Sequence, residues 1–122
     1  MRVQPGEIID RMSILKLKME RIKDPYFQEE YSELKKSLEG FKEEGLVIKE
    51  EWLDELYEIN KEEWDLLEKM NEEKEKGKDF DKIGRLYLQT EIVNKKRSDV
   101  KNRIVEETGK GFKEIKKNHP SA

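Results

Sequence analysis

The sequence predicts an all-α fold: an antiparallel bundle of three long helices, the first kinked at Asp24-Pro25, with coiled-coil-like packing. Three observations carry this expectation. Apolar residues recur at alternating spacings of three and four along most of the chain, the period of an amphipathic helix. Of the 122 residues, 45% are charged and 34% hydrophobic; a roughly spherical globule carries more apolar residues, whereas long thin helices with much surface suit this balance. Proline and glycine punctuate the pattern at only a few places, so turns are few. The length suits one helical domain, residues 1–122.

The first helix opens at Pro5, because proline suits a first turn whose N–H has no intrahelical partner. Glu7 and Asp10 favour the positive end of its dipole. Ile8, Met12, Leu15, Met19 and Ile22 form its stripe, widened by Ile14 and Leu17. In KDPYF, Pro25 disfavours helix at Asp24. Asp24 can instead cap a new helix with Pro25 at its first position. The stripe resumes at Phe27, Tyr31, Leu34, Leu38 and Phe41. No spare loop residues separate the two stretches, so residues 5–39 read as one rod kinked near 25.

EGFKEEGLV, with Gly40 and Gly45, reads as the first true turn. The next helix spans 49–76. Trp52, Leu56, Ile59, Leu66 and Met70 form one stripe; Leu53, Tyr57, Trp64 and Leu67 form a second beside it. A face that wide touches two neighbours. EKGKDF is the second turn, with Gly77 as C-cap and Asp79 as N-cap. The last helix spans 80–108 on the stripe Phe80, Ile83, Leu86, Tyr87, Val93, Val100 and Ile104. Glycines 109 and 111 end it, and 109–122 form a basic tail. Short turns make sequential neighbours antiparallel. Three such helices make a slender core, which points to a homodimer.

Composition excludes several function classes. The formal net charge of -3 does not imply a nucleic-acid binder. Basic residues do gather after residue 94, and in the tail Lys110, Lys113, Lys116, Lys117 and His119 are candidate anion contacts. The chain has no cysteine and one histidine, so disulfides, thiol catalysis and zinc sites built on cysteine are excluded and no metal or cofactor is expected. GKGF at 109–112 follows a helix and lacks the Gly-Lys-Ser/Thr ending of a phosphate loop. The start, MRVQPGEIID, has no apolar core segment of a signal peptide, and no run approaches the ~20 apolar residues of a membrane span. A soluble, cytoplasmic protein without membrane contact is the expectation.

The chemistry-bearing residues lie inside the stripes. Thr90, Asn94 and Arg97 are spaced four and three apart and share one side of the last helix. Asn60 and Glu63 interrupt the apolar face of the middle helix, and Glu7, Asp10 and Arg11 precede the stripe of the first. If the first and last helices pack antiparallel, Arg97 reaches Asp10 or Glu7, with Lys101 one turn further on. Such a layer either fixes helix register, at some cost in stability, or forms a polar pocket for a small anion with Arg97 as fork donor. Carboxylate pairs that hold Mg²⁺ in all-helical nucleotide pyrophosphohydrolases have regular matches here, Glu30/Glu33 with Glu51/Asp54 or Glu62/Asp65, which a Glu-rich chain also produces by chance. Trp52 and Trp64 read as core or interface anchors. Tyr26, Phe27 and Tyr31 read as an exposed aromatic patch.

Three segments, PGEIIDRMSILKLKMERI, LYEINKEEWDLLEKM and IGRLYLQTEIVNKKRSDVKNRI, with the ending GFKEIKKNH, resemble a family of small uncharacterised bacterial helical proteins. The resemblance spans most of the chain and rests on Pro5-Gly6-Glu7, Ile9-Asp10, Asn60, Trp64, Asn94, Arg97 and Lys101. It implies no mechanism, but it implies that these polar residues form one pattern. IIDRMSILKLKMERI also resembles the first helix of helical chorismate mutases, a three-helix dimeric fold; Gln4 and Pro5 stand where that family carries an arginine, which puts the activity in doubt. The expected function is a non-enzymatic assembly or adaptor module that self-associates or binds a protein partner. The alternative is a small-anion, nucleotide-binding or Mg-dependent nucleotide-acting protein using the layer of Glu7, Asp10, Asn60, Thr90, Asn94, Arg97 and Lys101.

Overall fold

The computed structural model describes residues 2–77 and 79–111. They form four α-helices in place of the three expected: α1 (Pro5–Arg21), α2 (Pro25–Glu43), α3 (Glu50–Lys76) and α4 (Phe80–Thr108). No strand occurs among the described residues, and none of their helices is long and apolar enough to cross a membrane.

The expected kink is a chain reversal. Ile22 (φ -130, ψ 125) and Asp24 (φ -142, ψ 119) are both extended, so three residues suffice to turn α2 back along α1. The Asp24 side chain accepts from the Tyr26 N–H at 3.0 Å and Pro25 takes the first helical position, which starts α2 cleanly. At the far end Arg2 stacks on the Phe41 ring at 3.7 Å and pairs with Glu44 at 2.5 Å, so residue 2 lies beside residues 41–44. A kinked rod would leave the α2 stripe in water; folding back buries Leu38 and Phe41 against α1. For the same reason α2 continues through Gly40, and the first true turn begins only after Glu43.

α1 is the central element, packed against α2, α3 and α4, whereas the α2 backbone approaches α1 alone. It runs parallel to α3, with Asp10 and Ser13 beside Asn60 and Arg21 beside Asp65. It runs antiparallel to α4, with Gly6 against Ile104 and Asp10 against Arg97. The α3–α4 hairpin is tied along its length by Lys49–Glu107, Glu55–Arg103 and Glu73–Lys82. Asp79 caps α4 by accepting from the Lys82 N–H, and Gly109 ends it at φ +70, a conformation glycine adopts without a Cβ clash. One core cluster joins Ile8, Ile9 and Met12 of α1, Leu38 and Phe41 of α2, Trp52 and Leu56 of α3, and Val100 and Ile104 of α4.

Helix lengths differ, and the difference shapes the molecule. At 1.5 Å per residue, the 17 residues of α1 reach about 25 Å, whereas the 27 of α3 and 29 of α4 reach about 40 Å and 43 Å. α1 stops where Arg21 meets Asp65 and Trp64. Beyond that point α3 and α4 have only each other among the described residues. Leu66, Met70, Thr90 and Val93 are buried between them. Phe80 and Tyr87, expected in the last helix's buried stripe, are 76% and 53% exposed because no helix among the described residues covers that side.

Candidate functional site

The polar layer assembles around Asp10. Its carboxylate is 2% exposed, because Asp10 sits on the α1 face turned towards both α3 and α4. Arg97 Nε donates to Asp10 Oδ1 and Oδ2 at 3.1 and 3.2 Å, and Arg97 Nη2 donates to Oδ2 at 2.6 Å. This forked geometry uses the guanidinium plane and compensates much of the cost of removing the carboxylate from water. Asn60 Nδ2 donates to Asp10 Oδ1 at 3.0 Å and to Ser13 Oγ at 2.7 Å. Ser13, fully buried, donates to the Asp10 carbonyl at 2.6 Å. Three helices are thus joined by one connected network.

A second ion pair lies one turn away. Lys101 Nζ is 2.6 Å from Glu7 Oε1 and 4.0 Å from Asp10 Oδ2, with the lysine side chain 9% exposed. Glu63 approaches Arg97 Nη1 at 3.8 Å from α3. Two cations therefore face three carboxylates, and the layer is electrostatically closed within the chain rather than a concentrated positive site.

The sequence-derived residues divide into those this geometry gathers and those it does not. Glu7, Asp10, Asn60, Arg97 and Lys101 come together. Thr90 lies elsewhere: its hydroxyl donates to its own helix, at the Leu86 carbonyl, 3.0 Å away, and touches Met70 Sδ at 3.8 Å. Asn94 is half-buried and joins none of these bonds. Of the expected three-residue polar side of α4 only Arg97 reaches Asp10, and Lys101, one turn on, reaches Glu7. Ser13 was not singled out from sequence; its spacing of three from Asp10 places both on one helical face and was the available signal. Lys110 is exposed past the end of α4, its N–H donating to Thr108 Oγ1 at 3.2 Å. Lys113, Lys116, Lys117 and His119 lie outside the described residues.

A cleft of about 350 Å³ adjoins the layer, walled by Ile14 and Leu17 of α1, Trp64 and Leu67 of α3, and edged by Asn60, Glu63 and Arg97. The Trp64 indole N–H donates to Glu68 at 2.7 Å while the Arg21 guanidinium lies 5.3 Å from its ring, so this tryptophan anchors the end of α1. Trp52, 1% exposed, belongs to the core. Of the expected aromatic patch only Tyr26 stands out, at 62% exposed; Tyr31 packs on the core and Phe27 lies 5.5 Å from Lys18 Nζ. Among the described residues no three His, Asp or Glu side chains converge, so Glu30/Glu33 of α2 and Glu51/Asp54 or Glu62/Asp65 of α3 do not come together as a cluster.

Comparison of the chain with family models, with curated proteins and with solved structures gives no match.

Proposed function

We propose that this chain is a non-enzymatic helical assembly module that works by self-association, with the Asp10–Arg97 layer setting helix register. The observation that carries the reading is the uncovered end of the α3–α4 hairpin. There Phe80, Tyr87, Leu88 and Ile92 of α4 are between 53% and 76% exposed, with no third helix among the described residues to cover them. Such a concentration of large apolar side chains marks an interaction surface. A second copy supplies the missing helices and completes a coiled-coil-like bundle. The absence of cysteine suits a cytoplasmic setting.

The closed charge balance of the layer supports a register role over an anion site. Arg97 is already forked onto Asp10, and Glu63 and Glu68 add negative charge to the adjoining cleft. Light scattering after gel filtration tests the assembly reading; the mass of two chains is the expected result, and a stable monomer at about 100 μM, a concentration well above ordinary dimer Kd values, sinks it. The cleft beside Arg97 favours one second reading, a nucleotide or small-anion site. A thermal-shift panel of nucleotides, nucleotide sugars and inorganic phosphate, with and without Mg²⁺, separates the two: the register reading expects no shift, and a saturable shift lost in Arg97→Met overturns it.

A further inference from the structure

The outer face of α4 carries two large apolar side chains, Leu88 and Ile92, that remain exposed. At 3.6 residues per turn, Asp81, Gly84, Arg85, Leu88, Glu91, Ile92 and Lys95 share one side of the helix. That side is turned away from the buried Val93, Val100 and Ile104. Leu88 and Ile92 are each 59% exposed there. Gly84 stands between Phe80 and Leu88 in the helix interior, and a Cβ added to it would meet nothing within 4 Å. Glycine is a poor residue for an exposed helix interior. Neither a turn nor close packing inside the chain accounts for it.

We infer that α4 pairs with α4 of a second copy of this chain, antiparallel, about a twofold axis at Leu88. This rests on the self-association proposed above and names its interface. In that arrangement Leu88 meets its own counterpart, and Gly84 shares a layer with the second copy's Ile92. The missing Cβ makes room for the larger side chain, as small residues do where helices approach closely. Asp81 shares a layer with the second copy's Lys95. Within the chain that lysine has only a 3.9 Å contact to Asp99, and its side chain is 63% exposed. A parallel pair is disfavoured by charge: it stacks Asp81 on Asp81, Arg85 on Arg85 and Lys95 on Lys95. An antiparallel twofold also gives an isologous, closed contact, which stops at the dimer. Tyr87, next to Leu88 on the flank of the same face, lies close to its own counterpart across the axis.

The chain has no native cysteine, so single-cysteine variants report on this geometry directly. Leu88→Cys should convert mostly to a disulfide-linked dimer under mild oxidation. A mixture of Asp81→Cys and Lys95→Cys proteins should form the mixed disulfide in preference to either homodimer. Gly84→Trp should weaken association about tenfold or more by overpacking the layer, with the helix content of the monomer kept by circular dichroism. A wild-type dimer by light scattering whose Leu88→Cys form does not cross-link overturns this interface and leaves the assembly reading standing. Homodisulfides of Asp81→Cys and of Lys95→Cys overturn the antiparallel register. A wild-type monomer overturns both the interface and the assembly reading.

Discussion

The two ends of the α3–α4 hairpin are built differently. At one end α1 and α2 cover it. Trp52 and Leu56 are essentially inaccessible, and the buried Asp10, Ser13 and Asn60 form a connected network with the half-buried Arg97. At the other end the same two helices run on alone, and Leu88, Ile92 and Phe80 face outward. Both ends have the same charge-rich composition and the same helical period. What separates them is the length of α1, which stops at Arg21. Local helix formation therefore does not decide where the chain is stable; coverage by a third helix does.

The sharpest way to test this contrast is Arg97→Ala. It leaves Asp10 buried with the Asn60 hydrogen bond and the Lys101 ammonium 4.0 Å away, and breaking such a pair should cost about 3–5 kcal/mol in urea unfolding. Replacing both partners together, Asp10→Leu with Arg97→Met, should recover most of that loss. If the double variant is as unstable as the single one, the register interpretation of the layer is wrong. Next in size, Leu56→Ala should cost about 2–4 kcal/mol, since Leu56 is 0% exposed in the core cluster. Ile92→Ala in a dilute, monomeric sample should change stability by about 0.5 kcal/mol or less. Comparable losses at the two positions would erase the distinction between the ends.

Asp24→Ala removes a side-chain cap and should destabilise by about 1 kcal/mol, with amide exchange rising first in α2. Equal exchange rates across α2 and the wild type would show that Asp24 does not hold the reversal. The smallest expected effect is a pH dependence at the surface. The Tyr57 phenol is held above its ordinary value of 10.0, first by its hydrogen bond to Glu20 and then by desolvation. A folded-state value above the unfolded one contributes stability that is fully present below pH 10 and lost as pH rises through the folded value. Tyr57→Phe should flatten the fall in stability between about pH 9 and pH 11, measured by urea unfolding. An unaltered slope would mean that the Glu20 contact is not kept in solution.

Much of the fold was legible because helix signals are local. The stripes, the Pro25 start, the Asp79 cap and the Gly109 stop place the helices within a residue or so for α3 and α4. The reversal at Ile22–Asp24 was not legible in the same way. Whether the three residues 22–24 make a kink or a hairpin depends on whether Leu38 and Phe41 find partners on α1, and those partners are distant in sequence. The polar layer was half legible. Residue type and spacing brought Asp10, Asn60 and Arg97 into consideration, but Ser13 was not singled out and Thr90 was counted as a member.

The sequence alone determined that the chain is helical, that its helices are long and charge-rich, and that Arg97 and Asp10 each sit among the apolar residues of their own helices. Period and capping do this, because each depends on residues within one or two turns. Tertiary structure decided the rest. It turned α2 back, it chose Asp10 over Glu7 for Arg97 and gave Glu7 to Lys101, and it left Phe80 and Tyr87 uncovered. Those outcomes depend on which helix ends first and which faces meet, and burial of apolar surface between distant segments settles both.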